Sequence, residues 1–194
     1  MDDWFPLRPV RHPSPDGVVM AVIEAIQTMY LEVNNVTIMT FSSIPSTYEH
    51  LQLRLSTHDT HATGTDQLYV RLNNDTTSYY SSHHLQAYSG AGKTGSATTR
   101  TSYGYWGDAI GGNNLVGEYS TVVIDIQDYA NTNKSTVLTF LSGSCPDADG
   151  SKSIKFGSSL WESTTTVNEI DVYVISSAPF QRGTSGTLYG IRSS

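Results

Sequence analysis

The stretch "LQLRL", residues 51–55, alternates leucine with polar side chains and decides the fold class of this chain. Side chains of a β-strand point to opposite faces in turn, so Leu51, Leu53 and Leu55 are expected to line one face of a half-buried strand. The same period of two recurs downstream at Leu68, Val70 and Leu72, at Val122, Ile124 and Ile126, and at Ile170, Val172 and Val174. The sequence therefore predicts an all-β protein.

Shorter or less regular apolar runs predict the remaining strands. Together with the runs above, the predicted strands lie at 18–30, 36–41, 51–55, 68–72, 122–126, 135–141, 153–161, 167–175 and 187–191. No long helix is indicated. About nine short strands are too many for one flat sheet with a bare face, so we expect two antiparallel sheets around one core, a β-sandwich of jelly-roll type.

The run "YLEVNNVTIMTF", residues 30–41, predicts a hairpin. Asn34 and Asn35 stand between two apolar segments, and asparagine tolerates the left-handed backbone of a tight turn. We therefore expect the strands before and after these two residues to pair with each other.

Residues 1–17 are expected to form an extended arm that precedes a single β-sandwich domain at 18–194. Four of the seven prolines lie in this segment, which excludes a helix or a central strand. Trp4, Phe5 and Leu7 also lie there, and burial of each such side chain contributes roughly 1.5–3 kcal/mol. Docking of the arm on its own domain or on a neighbouring subunit is one interpretation, and a disordered terminus is the other.

The segment 89–117 shows no sustained period and is rich in Gly, Ser and Thr. We interpret it as a long loop, and loops of this length in compact domains are usually functional or disordered. Tyr103, Tyr105 and Trp106 cluster in its middle, where they would lower solubility unless they pack on something. The candidate subunit or partner interface consists of Trp4, Phe5, Leu7, Tyr103, Tyr105 and Trp106.

The composition argues against several classes of partner. The chain has 11 basic and 18 acidic residues, a net charge of −7, which disfavours nucleic acid. The longest apolar run, at 18–26, is interrupted by Glu24 and is far shorter than the roughly 20 residues of a membrane span. The single Cys145 forms no intrachain disulfide, and the acidic opening does not resemble a signal peptide. We expect a soluble protein folded in a reducing cytoplasm.

Two short motifs resemble ligand-binding loops but are incomplete. "GAGKTG", residues 90–95, follows Ala87 where a phosphate-binding loop needs glycine, and no strand and helix flank it. "PDADG", residues 146–150, begins like a calcium loop but lacks the later carboxylate. No serine, threonine or cysteine lies in a context that would activate it as a nucleophile, and no carboxylate pair points to glycoside hydrolysis. The sequence indicates no cofactor and no catalytic residue.

The histidines are concentrated in two places. The stretch "LSTHDTHATGTD", residues 55–66, contains His58, His61 and two aspartates, all of which are able to bind a metal. The stretch also connects two predicted strands and is rich in turn-forming residues. We interpret it as a polar turn, with a metal site at His58 and His61 as the alternative. His83 and His84 are expected in a loop or short helix, with one or both exposed.

Four segments, in order, resemble a group of tailed-bacteriophage virion proteins. They are "FSSIPSTYEHLQLRL" at 41–55, "LYVRLNNDTTSYYSSHHL" at 68–85, "VVIDIQDYANTNKST" at 122–136 and "FQRGTSGTLYGI" at 180–191. The resemblance covers about residues 23–191. It implies a virion structural protein and no reaction.

Individual residues fit this resemblance. Tyr48 follows a proline-marked corner, where its ring can be buried while its hydroxyl bonds the backbone. Arg54 and Arg71 lie opposite the leucines of their strands, where they are expected to pair with Asp125 or Asp128 or to serve an interface.

The place of such a protein in the virion has several interpretations. A compact acidic sandwich with an aromatic arm suits a capsid decoration or cement protein that binds the major capsid protein and copies of itself, most simply as a homotrimer. A tail, fibre or adaptor component is the first alternative. A lectin-like module is the second, with Tyr103, Tyr105 and Trp106 as a platform for carbohydrate. No sequence feature favours a hydrolase.

Overall fold

A computed structural model describes residues 21–89, 93–147 and 152–193. These residues contain strands and no helix, and hence no helix long and apolar enough to cross a membrane. The strands of the described chain are β1 (Ala21–Tyr30), β2 (Met39–Phe41), β3 (His50–Thr57), β4 (Thr65–Leu72), β5 (Tyr80–Tyr88), β6 (Lys93–Thr101), β7 (Gly104–Ile110), β8 (Ser120–Gln127), β9 (Thr136–Ser144), β10 (Ser153–Trp161), β11 (Ile170–Val174) and β12 (Ser185–Ser193).

The strands form two antiparallel sheets that face each other. The large sheet has the order β1-β12-β3-β8-β9-β10-β5-β6, and the small sheet has the order β2-β11-β4-β7. The chain crosses repeatedly between the sheets, for example from β2 to β3, from β3 to β4 and from β10 to β11, and such crossings give the sandwich its jelly-roll character. The predicted all-β, antiparallel sandwich of jelly-roll type is confirmed.

The alternating leucines of β3 point into the space between the sheets. Leu51, Leu53 and Leu55 are buried in one apolar cluster together with the alternating residues of β4, β8 and β11. Trp106 and Trp161 are the largest side chains fully buried there. Removal of these side chains from water is the main favourable contribution to folding.

The predicted hairpin at Asn34 and Asn35 is wrong. β1 pairs with β12 in the large sheet, whereas β2 pairs with β11 in the small sheet. The chain leaving β1 finds its partners just before β12, where the Leu31 amide donates to the Thr184 carbonyl at 2.9 Å and the Gly183 amide donates to the Leu31 carbonyl at 2.8 Å. The segment therefore crosses the sandwich and does not turn back on itself.

The predicted loop at 89–117 is also wrong over most of its length. β6 pairs with β5 at the edge of the large sheet, and β7 pairs with β4 in the small sheet. β6 exposes nearly every residue, and β7 is buried on both faces. Neither strand alternates between buried and exposed positions, so neither has the period that identifies a half-buried strand. His83 and His84 belong to β5 and not to a loop or short helix.

The predicted bond from the Tyr48 hydroxyl to the backbone is wrong, and a different tyrosine, Tyr129, bonds the backbone at this corner. The Tyr129 hydroxyl donates to the carbonyl oxygen of Pro45 and accepts a bond from the Tyr48 amide at 3.3 Å. The Tyr48 hydroxyl donates instead to Oε2 of Glu24 at 3.0 Å. The Tyr48 ring lies so close to Gly190 that a Cβ at this position would overlap it. Packing therefore requires the glycine of "LYGI".

Several predictions fall on residues outside the described ranges. They include the arm at 1–17 with Trp4, Phe5 and Leu7, the first part of the phosphate-loop-like motif at 90–92, and the end of the calcium-loop-like motif at 148–150. Lys93 to Thr101, which include the last three residues of the former motif, form strand β6 and not the helix that a phosphate-binding loop needs.

Candidate interaction surface

The usual alternation is inverted along β10. Ile154 and Phe156 point to solvent with 56% and 60% of their surface exposed, whereas Lys155 between them points into the sandwich and is 3% exposed. Trp161, Gly157 and Ser159 share the inward face with Lys155. The outward face of this strand is therefore apolar, opposite to the outward face of β3.

Apolar residues of neighbouring strands extend the outward side chains of β10 into one surface. Phe156 pairs with Leu141 of β9 and with Leu85 of β5, and Leu141 pairs in turn with Val123 of β8. Directly paired side chains on one face of an antiparallel sheet lie in contact range. We call this set the apolar face, and its residues are Leu85, Ala87, Val123, Leu141, Ile154 and Phe156.

A shallow depression of about 370 Å³ lies on the apolar face. Leu85 and Leu141 at its sides are 65% and 51% exposed. Gly95 pairs with Leu85 and adds no side chain at that position. Lys93 is the one charged residue among the described residues that line the depression. Contiguous exposed apolar surface of this kind marks sites where proteins or ligands bind.

None of these residues was predicted as a site, although the sequence contains the signal. In a strand, residues that differ by an even number share a face. Trp161 is the bulkiest side chain of "SIKFGSSLW" and the natural one to bury. If Trp161 points inward, Lys155 must do so too, and Ile154 and Phe156 must point outward.

The outward residues of β3 and, apart from Val123, of β8 form a polar region on the same side of the large sheet. Gln52 donates to Oδ1 of Asp125 at 2.7 Å, and Nε of Arg54 donates to the Gln52 side-chain oxygen at 2.7 Å. The Arg54 guanidinium also lies 5.1 Å from the centre of the Tyr189 ring. The predicted pairing of Arg54 with Asp125 or Asp128 is wrong, since Gln52 stands between Arg54 and Asp125, and Asp128 contacts Lys134 and His50.

A buried ion pair lies beneath the apolar face. Nζ of Lys155 is 2.7 Å from Oδ1 and 2.6 Å from Oδ2 of Asp108 on β7, and it donates to the Tyr105 hydroxyl at 2.7 Å. The Ser153 hydroxyl donates to Oδ2 of Asp108 at 3.3 Å. Burial, and then the adjacent Asp108 carboxylate, raise the pKa of the Tyr105 phenol. Burial of an ion pair removes both charges from water. The hydrogen bonds described above compensate the cost of that desolvation.

The predicted ring cluster does not form a platform. Tyr105 and Trp106 are buried in the core of the monomer, so their faces are not available to a partner. Tyr103 stacks on Tyr69 with ring centres 4.0 Å apart. The cavity beside Tyr103 and Tyr105 measures about 70 Å³, well below the roughly 300 Å³ or more of ordinary ligand pockets. The prediction that Tyr105 and Trp106 form an interface is therefore wrong for the isolated domain.

The histidine-rich stretch connects β3 and β4, as predicted. Nδ1 of the buried His58 lies 2.7 Å from the Glu118 carbonyl oxygen, and the His61 amide donates to Oδ1 of Asp59 at 2.6 Å. Burial raises the pKa of Asp59 to about 7, and it lowers the pKa of His58. Within the described ranges, no three His, Cys, Asp or Glu side chains are placed to hold a metal ion. The hydrogen bonds that the structure shows are those of a packed turn.

Comparison with known proteins adds one likeness. No protein-family model and no curated protein matches the chain. Among solved structures, the chain is similar to galectin LEC-6 of Caenorhabditis elegans, with 10% sequence identity, a TM-score of 0.31, and coverage of 84% of this chain and 94% of the galectin. At this TM-score the likeness implies nothing about function.

Proposed function

We propose that this chain is a non-enzymatic structural protein of a tailed-phage virion, a capsid decoration or cement protein that binds the head shell through its apolar face. The observation that carries the proposal is the exposure of Leu85, Leu141, Ile154 and Phe156, each by more than half, on one face of a sheet. Large apolar side chains at the centre of a surface rimmed by polar groups are typical of protein interfaces.

Two further features support this role. The four ordered sequence segments resemble virion proteins, and the acidic chain, with a net charge of −7, suits binding to protein surfaces better than binding to packaged nucleic acid. The proposed partners are the major capsid protein and further copies of this chain, most simply as a homotrimer. The proposed location is the virion, after synthesis in the host cytoplasm.

Binding to heads assembled without this protein tests the proposal. The full chain should bind such heads, and Leu141→Ser combined with Phe156→Ser should weaken binding about tenfold or more, because the apolar area at the contact is lost. The matched control is Val137→Ser, which alters an outward residue of β9 that is 47% exposed and lies outside the apolar face. Cosedimentation with the heads gives the affinity. Equal binding by the double variant and by Val137→Ser would contradict the proposal.

A further inference from the structure

We propose that the apolar face receives Trp4, Phe5 and Leu7 of a second copy of this chain, so that the arm of one subunit fastens it to the next. This inference rests on the proposed function and deepens it, because it names a second copy of this chain, itself bound on the head shell, as the partner through which the apolar face holds each subunit there. The arm at 1–17 contains a short cluster of large apolar side chains, which matches the apolar chemistry of the face.

The prolines of the arm favour binding to the face of the sheet over binding to its edge. Pro6 stands between Phe5 and Leu7, and Pro9 follows closely. Proline has no amide hydrogen, so such a segment does not pair regularly with an edge strand such as β6. It binds through its side chains, and the apolar face offers a depression of about 370 Å³ to receive them.

The charges of the two surfaces are complementary. Asp2 and Asp3 immediately precede Trp4. Lys93 is the one charged residue among the described residues that line the depression. The acidic pair beside the aromatic residues of the arm is therefore opposite in charge to the lysine at the depression, and complementary charge at the rim of a contact fixes its orientation.

In the large sheet, the apolar face lies far from Ala21, the first described residue of β1. The row of paired residues that contains Phe156 continues through β9, β8, β3 and β12 and reaches β1 at Thr28. The first described residue of β1 is Ala21, seven residues before Thr28. Ala21 is therefore offset from Phe156 by about 24 Å across the five strand spacings and by about 23 Å along the strand.

The direction of β1 favours a second copy as the acceptor. β1 runs from Ala21 toward the row of Phe156, so its first described residue lies at the end of the strand that points away from the apolar face, and docking on that face of the same domain requires the arm to reverse direction. From Trp4 to Ala21 there are 17 residue steps, which span about 50 Å in an extended, proline-rich conformation. Such a segment reaches a neighbouring domain without reversing its direction.

A mixing experiment between two full-length variants tests the exchange. The first variant, Trp4→Ser with Phe5→Ser and Leu7→Ser, keeps the apolar face and loses the arm cluster. The second, Leu141→Ser with Phe156→Ser, keeps the arm cluster and loses the face. Sedimentation velocity should show the unaltered chain as an oligomer, each variant alone as a monomer, and an equimolar mixture as a one-to-one dimer. Val137→Ser is the matched control and should oligomerise like the unaltered chain.

Each other outcome overturns the proposal. If the unaltered chain is a monomer and the mixture forms no dimer, the arm does not bridge copies. If the first variant oligomerises alone, the apolar faces bind each other and the arm is not needed. A charge exchange gives a second readout: Lys93→Glu should weaken the oligomer severalfold, and adding Asp2→Lys and Asp3→Lys should restore it. Failure of that restoration would contradict the proposed orientation.

Binding to heads separates the failure of this inference from the failure of the proposed function. If the arm variant binds heads as tightly as the unaltered chain while the face variant does not, the arm is not the occupant and the virion role stands. If the face variant binds heads normally, the proposed function is wrong, and the mixing experiment alone decides whether copies exchange arms.

Discussion

Strands β3 and β10 belong to the same sheet and present opposite chemistry to its two faces. β3 buries three leucines and exposes polar residues such as Arg54, whereas β10 buries Lys155 and exposes Ile154 and Phe156. Both arrangements satisfy the strand period of two. They differ in the residues that are buried in the core. On β3 these are the leucines, and on β10 they are Lys155, Gly157, Ser159 and Trp161.

The difference separates a strand whose apolar side chains stabilise the monomer from a strand whose outward apolar side chains remain exposed. On β3 each apolar side chain gains free energy by burial within the monomer. On β10 the monomer gains little from Ile154 and Phe156, and it must compensate the desolvation of Lys155 with Asp108 and Tyr105. Burial of Ile154 and Phe156 against a partner, as proposed above, would add the favourable free energy that their exposure withholds from the monomer.

The largest expected effect is on the inward side of β10. Lys155→Met should lower the free energy of unfolding by about 3–5 kcal/mol, because it leaves the Asp108 carboxylate buried without its cation. Urea unfolding measures the change. Adding Asp108→Leu to Lys155→Met should recover most of the loss, since no buried charge then remains unpaired. A loss below about 1 kcal/mol for Lys155→Met alone would mean that water reaches Asp108 freely.

A substitution on the inward side of β3 should change the stability of the protein through packing alone. Leu53→Ala should cost about 2–5 kcal/mol, because it removes buried methyl groups and leaves a cavity in the core. The matched control is Arg54→Ala on the outward side, which should change stability by about 0.5 kcal/mol or less. If the two variants lost equal stability, the two faces of β3 would not differ as the structure indicates.

A smaller effect of pH should appear beside the ion pair of β10. His84 packs on the Tyr105 ring, and burial first and the Lys155 cation second lower the pKa of His84 below its ordinary value of 6.5, against the opposing effect of Asp108. The unfolded chain therefore binds this proton more readily than the folded chain. Stability should fall as the pH drops below 6.5 toward the lower pKa of the folded state.

Thermal unfolding between pH 7 and pH 5 measures this contribution. His84→Gln should reduce the acid-induced loss relative to the unaltered chain, whereas the control His83→Gln, at an exposed position on the other face of β5, should leave the contribution of His84 in place. An unchanged pH profile in His84→Gln would show that protonation of His84 is not disfavoured by folding.

The sequence predicted strands well wherever one face is buried and the other is exposed. β3 and β8 follow that rule, and their periods were predicted correctly. β6 and β7 were missed because one is exposed on both faces and the other is buried on both. The hairpin at Asn34 was predicted from local turn chemistry, but the partners of β1 and β2 lie more than 120 residues away along the chain. Such pairing is set by the core as a whole, and a local pattern does not contain it.

The site was harder to predict than the fold because an aromatic cluster in the sequence has two meanings. Tyr105 and Trp106 lie in a segment without period, which suggested exposure, yet they fill the core. Phe156 lies in a correctly predicted strand, which suggested burial, yet it is exposed. Only the parity with Trp161 distinguishes the two faces of β10, and that parity becomes decisive once Trp161 is known to be buried.

The smallest expected effect on stability is on the outward side of β10. Phe156→Ser should change the free energy of unfolding of the monomer by about 0.5 kcal/mol or less, because the ring is already 60% exposed. The same change should reduce binding of an apolar dye and the tendency to self-associate, since it removes the centre of the apolar face. A loss of several kcal/mol would show that the ring stabilises the monomer itself. In that case the inverted strand would be a feature of folding, and the contrast with β3 would no longer indicate assembly.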